Sequence, residues 1–254
     1  MNDDLLLDPL IDILVNAKNI AVLTGAGISA ESGIPTFRGE EGLWKQYRAE
    51  DLATPGAFEN DPSLVWEWYD WRRGIIGSKD PNPGHSVLAS WEKDFPLFHI
   101  ITQNIDGLHQ KAGSKNVLEL HGNIWKLRCT EKGTLFDDQH VPLEEIPPLC
   151  PDCGALLRPH VVWFGESLDM GILNAAFRLS GECDVMFVVG TSAVVQPAAS
   201  LPLTAREAGA VIVEINPDDT PLTAYVDFSF QGRSGEILSL IDKKLIQVQK
   251  PGKD

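Results

Sequence analysis

Short apolar runs alternate along this chain with stretches of helical spacing. Leu10, Ile11, Leu14 and Val15 recur within residues 8–17 at the interval of one helix face. The run 20–23 follows and ends in Thr24-Gly25-Ala26-Gly27. Four further runs end in the same way, in small, amide or carboxyl residues. They are 98–102 before Gln103-Asn104-Ile105-Asp106, 117–120 before His121-Gly122, 185–189 before Gly190-Thr191-Ser192, and 211–215 before Asn216-Pro217-Asp218. Runs that do not alternate with polar residues predict strands buried on both faces, hence an α/β fold with a doubly wound parallel sheet between helices. Ligands of such sheets bind beyond the carboxyl ends of the strands, so a single cleft is predicted there.

Two stretches interrupt the alternation. Residues 37–79 are rich in aromatics and contain one helical stretch, 63–76, and residues 123–157 hold three of the cysteines and a Pro-Pro pair. They read as a helical insert and a cysteine-containing module that together make a smaller lobe. The remainder, 1–36, 80–122 and 158–254, reads as one large domain.

Composition narrows the partners. Of 254 residues, 43% are hydrophobic and 22% charged, which excludes a disordered chain. Twenty-one Lys and Arg against thirty-six Asp and Glu leave a net charge of −15, a poor match for nucleic acid or an anionic membrane surface. The longest uncharged run, 185–205, is broken by Gly190, Pro197 and Pro202 and is no membrane span. Four cysteines and acids near the N-terminus point to a reducing, cytoplasmic setting. The reading favours a monomer.

Gly25-Ala26-Gly27-Ile28-Ser29-Ala30 fits G-x-G-x-x-G/A directly after a strand, a turn that brings backbone N–H groups to a pyrophosphate. The acid that should follow about twenty residues on, to hold a ribose, is missing. Gly33-Ile34-Pro35 cuts the helix short instead, and a common glycine turn is the alternative for the loop alone.

The block from Gly25 to Trp44, GAGISAESGIPTFRGEEGLW, resembles the NAD-binding signature of sirtuins, the Sir2-type NAD-dependent protein lysine deacylases. The resemblance continues in order through 102–109 (TQNIDGLH), 120–122 (LHG), 162–166 (VWFGE), 190–192 (GTS) and Asn216-Pro217. It implies a Rossmann-like NAD-binding domain with a smaller lobe, and a reaction in which an acyl-lysine oxygen attacks the nicotinamide ribose. Nicotinamide and O-acyl-ADP-ribose are the products it implies.

By that resemblance His121 is the general base. Gln103, Asn104, Ile105 and Asp106 form the nicotinamide-ribose pocket, with Asn104 and Asp106 catalytic. Gly25, Ala26, Gly27, Glu31, Pro35 and Trp44 belong to the cofactor site, where Phe37 shields the sugar and Arg38 lies near the phosphates. Gly190, Thr191, Ser192, Asn216, Pro217 and Asp218 serve the adenine-side ribose, and Ser234 the adenine. Val162, Phe164, Gly165 and Glu166 offer backbone to an extended acyl-lysine peptide. Without the resemblance, His121 also reads as a structural histidine, and Asn104 and Asp106 as a local turn.

Tyr69 and Arg72, at i and i+3, share a helix face. A phenol and a guanidinium fork can hold a carboxylate. With Ala53 upstream, the pair resembles the class III sirtuins, which remove succinyl, malonyl or glutaryl groups and often keep deacetylase activity. The alternative is that Tyr69 packs among the tryptophans and Arg72 meets solvent or Asp70.

Cys150-Pro151-Asp152-Cys153 is a C-x-x-C knuckle, with Cys129 upstream. Four ligands complete a structural zinc site, and the fourth position here is Lys132. Completion by His140 or Asp137, a three-cysteine site closed by water, and loss of the metal all remain open. Two rival functions use the same scaffold: a mono-ADP-ribosyltransferase or NAD glycohydrolase, and a module that binds NAD without turnover.

Overall fold

The structure, a computed structural model, describes residues 3–35 and 48–249. In chain order the elements are α1 (Asp3–Asn16), β1 (Asn19–Thr24), α2 (Ala26–Ala30), α3 (Ala49–Leu52), α4 (Pro55–Asn60), α5 (Pro62–Gly77), α6 (Pro83–Asp94), β2 (Leu97–Thr102) and α7 (Leu108–Lys111). There follow β3 (Val117–Glu119), β4 (Gly122–Cys129), β5 (Leu135–Asp137), β6 (Leu157–Val161), α8 (Met170–Glu182), β7 (Val185–Val189), α9 (Leu201–Glu207), β8 (Val211–Asn216), β9 (Phe228–Gln231) and α10 (Ser234–Gln249).

Six strands form one sheet in the order β3-β2-β1-β7-β8-β9, with every neighbouring pair parallel. This is the doubly wound, Rossmann-like arrangement, and strand order reverses between β1 and β7. Side chains alternate across a strand, so the continuous apolar runs supply two cores at once. Ile20 and Val22 join Leu10, Leu14, Trp91, Phe187 and Leu238 under α1, α6 and α10. Ala21 and Leu23 join Ile101, Met186, Val188, Leu179 and Leu201 under α8 and α9. Trp91 and Phe187 are fully buried, and side chains of that kind contribute about 1.5–3 kcal/mol each on leaving water.

The smaller lobe has its own antiparallel sheet, β5-β4-β6. Its core gathers Phe58, Val65, Trp66, Trp68 and Tyr69 from the helical insert against Ile124, Leu127, Leu157 and Trp163. Helix α5 begins where Asp61 accepts the Leu64 N–H (2.9 Å) and Pro62 opens the first turn. Two polar bonds pin it to the sheet. The Trp66 indole donates to the Leu157 carbonyl at 2.8 Å, and buried Arg73 pairs with Asp138 at 2.5 Å.

Two details depart from the sequence reading. Strand β6 pairs with β4 from Cys129/Leu157 to Gly122/Val161, so residues 158–161 run in the small sheet, not the large one. Strand β9 is an edge strand in which polar Ser229 and Gln231 alternate with phenylalanines, and the search for continuous apolar runs passes over it. Among the described residues no helix is long and apolar enough to cross a membrane.

Candidate active site

The glycine loop after β1 meets the loop after β7 backbone to backbone. Gly25 N–H donates to the Val189 carbonyl (3.1 Å) and Gly27 N–H to the Gly190 carbonyl (2.7 Å). A Cβ on Gly27 would lie 2.7 Å from Gly190, and one on Gly190, itself at φ 60°, would lie 2.4 Å from the Ile28 nitrogen. These glycines therefore exist for close approach at the point where strand order reverses. Their own amides are engaged by the β7 loop, which the motif alone does not reveal.

The loop after β2 lies against this junction. Asn104 donates from its side-chain amide to the Gly25 carbonyl (3.0 Å) and to Ser29 Oγ (3.2 Å). Ser29 in turn donates to Asp106 Oδ2 at 2.7 Å, and Leu108 N–H reaches Asp106 Oδ1 at 2.8 Å. Burial pushes the Asp106 carboxyl up, against the pull of those two donors and of the Arg72 charge. Ser29 was not singled out from the sequence, yet it joins Asn104 to Asp106.

Below this loop runs a buried polar chain. Thr24 Oγ1 donates to Thr102 Oγ1 (2.8 Å), which also accepts the Asn104 N–H (3.0 Å). With its proton committed, Thr24 receives the Nε2 proton of His109 at 3.0 Å. His85 packs beside His109, ring centroids 4.9 Å apart, and both rings are buried. Burial lowers both, His85 to about 4.

His121 follows β3 at a sharp corner. Gly122 has φ 78°, and a Cβ there would collide with the His160 carbonyl. His121 Nδ1 donates to the Gln103 carbonyl oxygen at 2.8 Å, while the Gln103 side chain donates to Thr191 Oγ1 at 3.0 Å. Burial lowers the imidazole, and the Gln103 carbonyl partly offsets it. At neutral pH the ring is uncharged, with its proton on Nδ1 and the lone pair on Nε2.

On the far side of the sheet, Asn216 accepts the Gly232 N–H (3.1 Å) and donates to the Asp218 carbonyl (2.8 Å). Buried Ser234 opens α10, and the Glu31 carboxylate accepts the Gly235 N–H at 2.8 Å, tying α2 to that helix. Ser192, Pro217 and Asp218 are exposed, and Ile105 and Pro35 half-buried. Phe37, Arg38 and Trp44 lie outside the described residues.

The segment after β6 crosses between the lobes. Val162 N–H donates to the His121 carbonyl and Phe164 N–H to the Ala53 carbonyl, both at 2.9 Å. Phe164 is 53% exposed. Gly165 turns at φ 87°, and the Glu166 carboxylate is held by Arg158 (2.6 and 2.8 Å) and by the Trp163 N–H (2.9 Å). Glu166 thus shapes the segment through its carboxylate.

Tyr69 lies deep in the small-lobe core, edge-on to Trp68, and its hydroxyl accepts the Trp163 indole N–H at 2.9 Å. Burial raises its phenol. The Arg72 guanidinium lies 5.3 Å over the Trp68 ring, and burial lowers it against the opposing pull of Tyr69 and Asp106. Tyr69 thus packs among the tryptophans, as the alternative reading has it, with Arg72 over the same Trp68 ring. A cavity of about 810 Å³ opens between α5 and β4, lined by Ile76, Asp106, Leu108, Glu119 and Trp125.

The sulfur atoms of Cys129, Cys150 and Cys153 lie within 4.8 Å of one another, a donor set compatible with structural zinc. Neither His140 nor Asp137 joins them. Cys183 is a separate buried thiol.

The comparisons agree with this geometry. A profile described as the Sir2 family matches residues 25–197. A protein of Aquifex aeolicus called NAD-dependent protein deacylase is 58% identical over 216 residues, 85% of this chain and 90% of that one. NAD-dependent protein deacylase 1 of Caldanaerobacter subterraneus is 54% identical over 223 residues, 88% and 92% of the two chains. The crystal structure of a Sir2 homologue–NAD complex superposes with a TM-score of 0.91 at 47% identity, covering 96% of this chain and 95% of that one. A Sir2–p53 peptide–NAD+ complex gives 0.83 at 33% identity over 93% and 97%. A switch-point glycine junction, a half-buried neutral histidine and this agreement along nearly the whole chain make the protein a member of the Sir2 family.

Proposed function

We propose that this chain is an NAD-dependent protein lysine deacylase in which His121 is the general base. The observation that carries the assignment is the bond from His121 Nδ1 to the Gln103 carbonyl, because it leaves Nε2 free to take a proton. NAD, when bound, supplies an electrophilic ribose carbon with nicotinamide as leaving group. The residues present fit it: Gly25, Gly27 and Gly190 let the loops after β1 and β7 pack together at the strand ends where strand order reverses, and a Cβ at any of them would push those loops apart.

Asn104 and Asp106, locked together through Ser29, give the loop after β2 a fixed shape against the glycine loop. His121 then accepts the proton of a ribose hydroxyl at Nε2. On the adenine side, Ser192 and Asn216 do the work of the missing acid at the ribose, and Ser234 lies near the adenine. An acyl-lysine peptide lies extended along Val162, Phe164 and Gly165, its acyl chain entering between the lobes near Ala53. Two lobes, the sheet domain and the insert-built lobe, thus bracket the reacting atoms. Phe37, Arg38 and Trp44 complete the cofactor site.

Tyr69 and Arg72 select acidic acyl groups, succinyl or malonyl, while acetyl is also removed. The support is a guanidinium buried beside Tyr69 and Asp106, where a second carboxylate gains a partner. Four cysteines with no disulfide among the described residues suit work in the cytoplasm, where the chain acts as a monomer. Mass-spectrometric turnover of one peptide carrying acetyl-lysine or succinyl-lysine, with and without NAD, tests the reading. Arg72→Met is expected to lose desuccinylation and keep deacetylation. If acetyl alone is removed and Arg72→Met changes nothing, the pair is structural. ADP-ribosylated protein or free ADP-ribose in place of O-acyl-ADP-ribose would point to the transferase or glycohydrolase. Tight NAD binding without nicotinamide release would point to a sensor.

A further inference from the structure

Two turns of the small lobe are built alike, and one carries a lysine where the other carries a thiol. In the turn after Cys150, Gly154 N–H donates back to the Cys150 carbonyl at 2.8 Å with Gly154 at φ 72°. In the turn after Cys129, Gly133 N–H donates back to the Cys129 carbonyl at 3.0 Å with Gly133 at φ 68°. Left-handed backbone at a glycine lets each chain wrap tightly around its first cysteine. Lys132 therefore occupies, in the first turn, the place that Cys153 holds in the second.

That corner lacks a protein ligand. Cys129 Sγ and Cys153 Sγ are 3.6 Å apart, Cys150 joins them, and no histidine or carboxylate among the described residues completes the group. His140 turns toward Asp138 (3.5 Å) and Glu144 (4.0 Å) instead. The Lys132 backbone N–H donates to Cys129 Sγ at 3.4 Å, and its ammonium reaches across to the Asp152 carbonyl at 3.4 Å. Its contact is to that carbonyl and to none of the sulfurs, and a lysine in its ammonium form has no lone pair for a metal. It spans the two turns from the side where the fourth ligand would stand, beside exposed Cys153.

Zinc held by three protein ligands keeps its fourth position for water or another small ligand. We infer that the Cys129–Cys150–Cys153 cluster is a three-thiolate zinc site whose open fourth position takes a small exogenous thiol. Three thiolates and Zn²⁺ sum to one negative charge, so a fourth thiolate adds repulsion. The Lys132 ammonium offsets it, favouring an anionic thiolate over neutral imidazole. The incoming thiol loses its proton to solvent and forms one metal–sulfur bond, displacing water, with no change of oxidation state.

The test replaces the metal in the full-length protein with cobalt(II) and reads the visible d–d bands while 2-mercaptoethanol or imidazole is added. Wild type is expected to bind one cobalt with a three-sulfur spectrum that shifts saturably toward the four-sulfur pattern with thiol, and less readily with imidazole. Lys132→Cys is expected to show the four-sulfur pattern from the start and not respond. Lys132→Met should keep the three-sulfur spectrum and bind thiol several-fold more weakly. A wild-type spectrum indifferent to thiol, or one that Lys132→Met alters before any thiol is added, would overturn the open position. Failure of wild type to hold cobalt or zinc would overturn the site itself.

Discussion

His121 Nδ1 stands 2.8 Å from the carbonyl oxygen of Gln103, the residue that opens the loop after β2. A backbone carbonyl only accepts, so the imidazole proton is on Nδ1 whenever the ring is neutral. The loop after β2 thereby sets the tautomer of the His121 ring. Burial lowers the ring's pKa, so the base form is present down to a pH below the ordinary histidine value of 6.5. The acid limb of kcat/KM for deacylation should fall below pH 6.5, measured on acetyl-peptide between pH 5 and 8. A limb at or above 6.5 would mean that another group is being titrated.

Replacing Thr24 with valine keeps the shape and removes the hydroxyl between His109 Nε2 and Thr102 Oγ1. Buried donors and acceptors left unmatched cost about 1–3 kcal/mol each, so Thr24→Val should lower unfolding stability by that order in urea titrations. Thr102 also supports the Asn104 N–H, so KM for NAD should rise while Ser29 and Asp106 stay in place. A variant of wild-type stability and KM would show the chain to be incidental.

The paired imidazoles of His85 and His109 make stability depend on pH. Both are held neutral by burial, His85 with a pKa of about 4. In the unfolded chain they take up protons near pH 6.5. Above pH 6.5 neither state is protonated and the pair has no effect. As pH falls from 6.5 towards 4 the unfolded state gains protons that the folded state refuses, and stability drops. For His85 alone the loss is about 3 kcal/mol over that window. Asp106, raised by burial, acts in the opposite sense from pH 3.8 upward to its own raised value. His85→Phe compared with wild type in urea at pH 7.5 and 5 isolates the histidine, and an equal fall in both proteins would contradict it.

The sheet was legible because strands buried on both faces have to be continuously apolar. Val185–Val189 is the same segment by either route. Edge strand β9 escaped because polar Ser229 and Gln231 alternate with its phenylalanines, and β6 because its register belongs to β4, far away in sequence. The strand-end places of Asn104, Asp106 and His121 were legible from the apolar runs before them, but their roles only through the family resemblance. Ser29, Thr24 and His109 were not legible as a network, since a lone serine, threonine or histidine carries no signal until the ends of β1 and β2 come together. The glycine motif was visible but its use was not. Only the packed junction shows that the Gly25 and Gly27 amides bond the β7 loop.

NAD-dependent deacylation with His121 as base ties the cleft, the glycine junction and the imidazole tautomer together. The most direct test incubates one acetyl-lysyl peptide with NAD and follows O-acetyl-ADP-ribose and nicotinamide exchange together, in wild type and His121→Ala. General bases of this kind contribute about a hundred- to ten-thousand-fold, so product formation should fall by that factor in the variant while exchange of labelled nicotinamide continues. Product formed by His121→Ala at near the wild-type rate would contradict the assignment.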